Sequence, residues 1–270
     1  VEAALTPETK MIYCESVSNP LLEVADIKGL SRIARPRGIP LVVDNTFTPL
    51  SIPPARLGAD VVIHSLTKFI NGTSDTVAGA ICGKKDFCLA LKDVNDGAGM
   101  LLGRPRDSLR AASILKNMRT LHLRMVKHSE NALYLARAFQ REGLKVVYPG
   151  LPSHPGHELM KRQMVPEYGF GGILTLDVKS LERANTLMEH MQDQNLGYLA
   201  VSLGFYKTLF SAPGTSTSSE IPESEQQAMG LSDGLVRFSI GLDNDIKRTC
   251  ERMKACMKNM GILPAKGVPA

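Results

Sequence analysis

The stretch Asp60-Val-Val-Ile-His-Ser-Leu-Thr-Lys68 decides how this sequence is interpreted. Its apolar run, residues 61–63, predicts a short buried strand. The hydroxyl groups of Ser65 and Thr67 and the amine of Lys68 follow the place where that strand ends. In an open α/β sheet, ligands bind outside the carboxyl ends of the strands. We therefore expect Lys68 to carry the chemistry of the chain.

The residues before this stretch predict a mostly parallel α/β sheet. Residues 10–15 and 40–44 have the composition of buried strands, and residues 25–38 between them have helical spacing that Pro36 and Gly38 end. Strands of this kind, joined by a helix, are typical of a parallel sheet covered on both faces. The carboxyl ends of these strands should therefore meet at one edge.

The residues after Lys68 predict a second domain. Residues 77–83 form a further predicted strand, and the breaker-poor residues 107–142 predict a long helix or a kinked pair. Later predictions are strands at 144–148, 170–178, 198–202 and 235–240, helices at 180–193 and 244–259, and a Ser/Thr-rich loop at 211–219. We therefore divide the chain into residues 1–118, an α/β domain, and residues 119–270, a smaller α+β domain. Because the first sheet would be thin, we expect part of its domain to lie upstream.

The composition excludes several classes of function. The chain has 270 residues, and its net charge of +5 comes from dispersed basic residues, which argues against a nucleic-acid partner. No apolar run has the length of a membrane span, and the N-terminus does not resemble a signal peptide. The five cysteines lack CxxC spacing, which argues against a metal site and favours a reducing compartment. We expect a soluble, cytoplasmic protein.

Asp44 and Lys68 together have the residue types of a pyridoxal phosphate (PLP) site. An amine that is desolvated at a strand end has a lowered pKa and can form a Schiff base. A carboxylate on the other side of the pocket can keep a pyridine nitrogen protonated, and this pair is typical of PLP enzymes. Ser65 and Thr67 alternate with Leu66, so both hydroxyls could face a phosphate. Spacing alone leaves open that Asp44 is a cap and Lys68 a surface amine.

Ser65 and Lys68 also match the S-x-x-K pattern of serine β-lactamases. That pattern occurs in chains that also contain S-D-N and K-T-G elements. Neither element is present in this sequence, which argues against this alternative.

A further candidate lies far downstream, in the predicted strand Leu235-Val-Arg-Phe-Ser-Ile-Gly241. Arg237 stands there between two apolar residues. A guanidinium group can hold a substrate carboxylate in a bidentate manner. A structural salt bridge to a nearby acid is the alternative.

Taken together, the motifs resemble those of the Cys/Met-metabolism PLP-dependent enzymes, which include cystathionine γ-synthase, the cystathionine lyases and methionine γ-lyase. The resemblance covers nearly the whole chain. Besides the two stretches quoted above, it rests on Glu15-Ser-Val-Ser-Asn-Pro20, Val42-Val-Asp-Asn-Thr-Phe47, Val77-Ala-Gly-Ala80, Tyr148-Pro-Gly-Leu151 and Val201-Ser-Leu-Gly204. Two more stretches are most similar to methionine γ-lyases of plant type, namely Tyr168-Gly-Phe-Gly-Gly172 and Gly214-Thr-Ser-Thr-Ser-Ser-Glu220.

The resemblance implies a PLP-dependent aminotransferase-like fold (fold type I) and a role for seven residues. These are Lys68 for the Schiff base and for proton transfer, Asp44 for the pyridine nitrogen, Ser65 and Thr67 for the phosphate, and Asn19, Ser202 and Arg237 for the O3′ side of the cofactor and the substrate carboxylate. The implied activity is α,γ-elimination of L-methionine to methanethiol, 2-oxobutanoate and ammonia. The implied partners are an amino-acid substrate and further copies of the chain, in a homotetramer built as a dimer of dimers.

Other activities remain open at this point. The alternatives are cystathionine γ-lyase, cystathionine γ-synthase or cysteine lyase activity, or a non-catalytic fragment that acts only in oligomer assembly. Lys207 stands where many relatives have an acid, and residues 216–218 stand where many have Met-Thr-His. The resemblance also implies an upstream Gly-rich phosphate loop, a tyrosine that stacks on the ring, and a Tyr/Arg pair donated to the neighbouring subunit. We therefore expect residues 1–270 alone to retain PLP weakly.

Overall fold

A computed structural model of the chain describes residues 1–102, 107–215 and 220–263. The strands of the described residues form two sheets, one in each half of the chain. In chain order the first half contains β1 (Ile12–Glu15), α1 (Ile27–Ala34), β2 (Leu41–Asp44), α2 (Pro54–Leu57), β3 (Val61–Ser65), β4 (Gly79–Gly83), α3 (Lys85–Ala90), α4 (Ala98–Leu101) and α5 (Ser108–Met118). The second half contains α6 (Leu121–Arg141), β5 (Lys145–Val147), α7 (His157–Gln163), β6 (Ile173–Asp177), α8 (Leu181–Asp193), β7 (Tyr198–Leu199), β8 (Leu209–Ser211), α9 (Glu223–Ala228), β9 (Leu235–Ser239) and α10 (Ile246–Asn259).

The first sheet has the order β1-β2-β3-β4, and its first three strands are parallel, as predicted. β4 is antiparallel to β3, so the sheet is mostly parallel. Glu15 pairs with Asp44, and Asp44 pairs with Ile63, two residues before the end of β3. The polar ends of the three strands therefore meet at one edge, because parallel strands present their carboxyl ends together.

α1 covers one face of this sheet. Asp26 is the N-cap of α1. Its side chain accepts a hydrogen bond from the backbone N–H of Gly29 and so satisfies a free donor of the first turn. Its buried Ile27 and Ala34 pack with Leu41 and Val43 in a first core. Burying each large aliphatic side chain contributes about 1.5–3 kcal/mol, which holds helix and sheet together.

The backbone changes direction directly after β3. Residues Leu66–Ile70 form a π-helical turn, called the lysine turn below, in which Lys68 has non-helical angles (φ −89°, ψ −132°). Phe69 and Ile70 in this turn are buried in the first core. The predicted strand-like alternation of Ser65, Leu66 and Thr67 is therefore wrong, because the strand ends at Ser65.

Of the two predicted arrangements for the breaker-poor region, one long helix or a pair, the structure has the pair, α5 and α6. The side chain of Asp107 caps α5, and the break between the helices falls at residues 119–120. Leu121 and Met125 of α6 belong to the first core, whereas Leu135 and Phe139 belong to a second core under the second sheet. Because α6 crosses both cores, the division into residues 1–118 and 119–270 stays a prediction.

The second sheet has the order β5-β6-β9-β8-β7, with β9 in the centre. β8 was missed in the sequence, because three residues are too few to show a period. The strand predicted at 198–202 is shortened to two residues. Residues 216–219 of the predicted Ser/Thr-rich loop, which include the Ser216–Ser218 stretch, lie outside the described residues.

In the parts of the chain that the structure describes, no helix is both long and apolar enough to cross a membrane. The same residues contain no group of three or more histidine, cysteine or acidic side chains placed to hold a metal ion.

Candidate active site

The amine of Lys68 lies beside a residue from the other half of the chain. Its Nζ donates a hydrogen bond to Ser202 Oγ at 3.0 Å. Burial lowers the pKa of Lys68, and the positive charge of Arg237 lowers it further. The structure therefore brings together three of the predicted site residues and makes loss of a proton from the Lys68 amine easier; the neutral amine is the form that can act as a nucleophile or accept a proton.

Arg237 is the most deeply placed charge of the site, with 2% of the residue exposed. Its Nη1 donates to Asn19 Oδ1 at 2.8 Å, and its Nη2 donates to the carbonyl of Ser202 at 3.1 Å. Nε is buried and has no hydrogen-bond partner among the described residues. Burial lowers the pKa of Arg237 to about 10. Within the described ranges this guanidinium has no acidic partner, so those residues do not form the structural salt bridge that was the alternative.

Small polar residues make room for Arg237 in the second sheet. Thr175 of β6 and Ser211 of β8 lie beside it in register, and both are buried. The hydroxyl of Ser211 also lacks a partner among the described residues. Neither residue was predicted from the sequence, because the register between paired strands is not visible in local spacing.

Ser202 is held close to the lysine turn by Gly204. Gly204 has a φ of +73°, and its N–H donates to Ser239 Oγ at 2.8 Å. A Cβ atom at this position would lie 2.3 Å from the backbone nitrogen of Phe69. Only glycine permits this approach, and the approach brings Ser202 to Lys68.

Asn19 is fixed by Glu15, a residue that the sequence analysis did not single out. The backbone N–H of Asn19 donates to Glu15 Oε2 at 2.9 Å, while its side chain accepts from Arg237. Burial raises the pKa of Glu15, and the N–H of Asn19 opposes that effect. Glu15 thus orients the loop that holds the buried guanidinium.

Asp44 lies at the same sheet edge but shares no hydrogen bond with Lys68 in the described residues. Its Oδ1 accepts from the N–H of Thr46 at 2.9 Å, and Tyr13 donates its hydroxyl to Oδ2 at 3.4 Å. Burial and then the charge of Asp44 raise the pKa of Tyr13. The Asp44 carboxylate keeps acceptor capacity for a further donor.

Ser65 and Thr67 differ in what their hydroxyl groups do. Thr67 Oγ1 accepts from the N–H of Ala78 at 3.0 Å and so closes the loop after the lysine turn. The Ser65 hydroxyl has no hydrogen bond among the described residues, and its backbone N–H donates to Thr46 Oγ1 at 2.9 Å. Ser65 is thus the freer of the two predicted phosphate ligands.

Lys207 lies in an open cavity of about 320 Å³. Its Nζ donates to the hydroxyl of Tyr198 at 2.8 Å and lies 5.1 Å from the centre of that ring. The hydrogen bond to Tyr198 raises the pKa of Lys207, which stays charged. Its contacts in the described residues are with Tyr198 and Tyr206 rather than with the group around Lys68.

Comparisons with known proteins identify the family of the chain. The signature of the family described as "Cys/Met metabolism PLP-dependent enzyme" matches residues 1–252. The chain belongs to this family. It is 46% identical to methionine γ-lyase of Arabidopsis thaliana over 240 residues, which are 88% of this chain and 54% of that protein.

Relatives with other names are also similar. Cystathionine γ-lyase of Dictyostelium discoideum is 39% identical over 89% of this chain and 61% of its own length. Cystathionine β-lyase of Lactococcus lactis is 38% identical over 93% of this chain and 66% of its own length. The chain thus spans 54–66% of the length of these curated relatives.

The residues of the site fit the cofactor of the family, pyridoxal 5′-phosphate. The site offers a desolvated amine, a buried guanidinium with an unpartnered Nε, and a carboxylate with acceptor capacity. It also offers the unengaged hydroxyl of Ser65. These groups are complementary to an aldehyde, a substrate carboxylate, a protonated pyridine and a phosphate, respectively.

Proposed function

We propose that the protein is a PLP-dependent carbon–sulfur lyase. The favoured reaction is α,γ-elimination of L-methionine, with uptake of one water molecule, to methanethiol, 2-oxobutanoate and ammonia. The observation that carries the proposal is the contact of Lys68 Nζ with Ser202 Oγ at 3.0 Å, beside the buried Arg237. The similarity to the plant methionine γ-lyase supports the choice of substrate.

Lys68 is the proposed catalytic residue. PLP bound here supplies an electron sink for the pair left when the Cα–H bond of the substrate breaks. Lys68 accepts the Cα proton and then transfers protons at Cβ, which prepares the Cγ–S bond for cleavage. Its amine must be neutral to accept a proton, and burial and the charge of Arg237 lower its pKa toward that requirement.

The other predicted residues bind and orient. Arg237 binds the substrate carboxylate, with Asn19 and Ser202 fixing its two Nη atoms. We assign Asp44 to the pyridine nitrogen. Ser65 and Thr67 would hold the phosphate, and the existing bond of Thr67 to Ala78 makes its share the smaller one.

The second candidate is another activity of the same family, namely that of a cystathionine lyase, a cystathionine γ-synthase or a cysteine lyase. It is favoured by the similarity to cystathionine lyases over about nine-tenths of the chain. A non-catalytic role in oligomer assembly is the candidate of another class, and exposed apolar side chains such as that of Val77 favour it.

We further propose that the protein assembles with copies of itself into a homotetramer and acts in the cytoplasm. Exposed apolar side chains that lie together support self-association: Val77 and Leu115 line the same open cavity and are 85% and 60% exposed. Large exposed apolar patches mark protein–protein contacts.

Parallel assays with L-methionine, L-cystathionine and L-cysteine in the presence of PLP test the proposal. Methanethiol and 2-oxobutanoate from methionine would support the first candidate, whereas product from cystathionine alone would support the second. The Lys68→Ala variant should abolish turnover, and full residual activity would refute the role of Lys68. A PLP absorbance band that is lost on dialysis, with no turnover, would favour the assembly role.

A further inference from the structure

The lysine turn ends with carbonyl groups that its own backbone does not satisfy. The carbonyls of Phe69 and Ile70 receive no backbone N–H from the described residues, whereas that of Lys68 accepts from Gly72 at 2.8 Å. Such groups at a helix end need another donor when they are partly buried. The donor here is a side chain of α6.

Arg124 of α6 supplies these missing donors. Its Nη1 donates to the carbonyl of Phe69, and its Nη2 donates to the carbonyl of Ile70 at 2.8 Å. Nη2 also donates to the carbonyl of Asn117 at 3.1 Å, and Nε donates to Thr120 Oγ1 at 3.1 Å. Three nitrogen atoms of one planar group thus connect the lysine turn to the start of α6.

The acceptors around residue 124 explain why an arginine occupies this position. All the acceptors of Arg124 in the described residues are neutral oxygen atoms, and burial lowers its pKa. The carbonyl end of a helical turn attracts a cation, which offsets part of the desolvation. A Cβ atom on Gly72 would lie 2.6 Å from Arg124 Nη1, so glycine leaves the space that the guanidinium occupies.

The same face of α6 also contacts the strand that carries Arg237. One helical turn after Arg124, the ring of His128 packs edge-on against Phe69 at 5.1 Å between centroids. His128 Nδ1 lies 2.6 Å from the carbonyl of Ile240, directly after β9. α6 therefore holds both parts of the active site, the lysine turn and the end of β9.

We propose that Arg124 is a positioning residue for Lys68. By capping the carbonyls of Phe69 and Ile70, it fixes the lysine turn on α6 and keeps the Lys68 amine next to Ser202 and Arg237. This inference rests on the proposed function, which makes Lys68 the reactive amine.

The test compares Arg124→Met with the parent chain in two measurements. Without PLP, amide hydrogen exchange of residues 66–72 should become roughly 10- to 100-fold faster, because charge-assisted hydrogen bonds are lost. With PLP and borohydride, mass spectrometry should show slower labelling of Lys68 at neutral pH. The pH of half-maximal labelling should rise, because the amine becomes less buried and moves away from the positive charge of Arg237. The acidic side chains at this sheet edge, Asp44 and Glu15, are the same in the parent and the variant.

Two control variants make the result specific. Arg119→Met removes an exposed arginine two residues before the start of α6 and should leave both measurements unchanged. Arg124→Lys keeps the positive charge but not the planar guanidinium group, and it should restore the labelling of Lys68 in part. If Arg124→Met does not fold, the hydrogen exchange and labelling of Arg124→Lys test the inference instead. Parent-like exchange and labelling in either Arg124 variant would overturn the inference. Absence of Lys68 labelling in the parent would instead contradict the proposed function.

Discussion

Arg237 brings a positive charge into the interior with only neutral oxygen atoms as its partners in the described residues. Asn19 and Ser202 hold its two Nη atoms, and Nε has no partner. Burying a cation without an anion is unfavourable, so the arrangement suits a site that receives an anion from solution. A substrate carboxylate is an anion of the right shape for the guanidinium.

The first prediction concerns this residue. Arg237→Met should raise the KM for the amino-acid substrate by roughly 10- to 100-fold, because a charge-assisted bidentate contact is lost. Steady-state kinetics of keto-acid release measure the effect, with Arg119→Met as the control.

A second substrate separates binding of the carboxylate from general damage to the site. Replacing the carboxylate of the substrate by an amide should weaken binding to the parent protein but should cause little further loss in Arg237→Met. The substitution of Arg237 and the change of the carboxylate remove the same contact, so together they form a double-mutant cycle. An equal loss in both proteins would contradict the assignment of Arg237.

At the scale of elements, the site depends on the close approach of two backbone segments. Residues 202–206 lie against the lysine turn, and the backbone N–H of Tyr206 donates to the carbonyl of Gly72 at 3.0 Å. Gly204 is the point of closest approach. The Ser202 hydroxyl reaches Lys68 because this segment has no side chain at the contact.

The second prediction follows from that contact. Gly204→Ala should destabilise the fold by about 1–2 kcal/mol for its positive φ, and by about 1–3 kcal/mol more for the clash with Phe69. Gly38→Ala is the matched control, because Gly38 has a φ of +64° and nothing within 4 Å of a Cβ. Chemical unfolding of both variants measures the difference. Equal losses would show that residues 202–206 can shift away without strain.

Much of the arrangement of helices and strands was predictable from the sequence. The parallel order of β1, β2 and β3 and the helical character of residues 107–142 follow from apolar periodicity and from the scarcity of breakers, whereas the break at residues 119–120 does not. The lysine turn was not predictable, because Leu66, Thr67 and Phe69 would suit a strand as well as a helix. Buried packing of Phe69 and Ile70 decides its conformation.

At the scale of the whole molecule, His128 lies between the two sheets. Its ring is fully buried, in contact with Phe69 on one side and hydrogen-bonded to the carbonyl of Ile240 on the other. Burial lowers the pKa of His128 to about 4. The neutral imidazole therefore belongs to the folded state, with Nδ1–H donating to the carbonyl.

The third prediction is a pH dependence of stability. The unfolded chain binds a proton at His128 below its ordinary pKa of 6.5, whereas the folded chain does not until about pH 4. Stability contributed by the neutral ring is therefore complete above pH 6.5 and is lost as the pH falls toward 4, by about 3 kcal/mol.

His128→Asn keeps a donor for the carbonyl but cannot titrate. Denaturant unfolding of this variant should show a smaller loss of stability between pH 6.5 and 4 than the parent. The exposed His122→Asn variant on the same helix is the control and should behave as the parent does. A parent-like slope in His128→Asn would show that other groups cause the acid sensitivity.

The sequence by itself determined the family, the mostly parallel first sheet and the identity of the seven candidate residues. It could do so because apolar periodicity and short motifs are local properties of the chain. Only the tertiary structure decided that Arg237 is held by Asn19, 218 positions away, and that Lys68 contacts Ser202, 134 positions away. It also decided the roles of Glu15, Gly204 and Arg124. Contacts over such separations depend on how the two sheets pack around α6, and local spacing does not encode that packing.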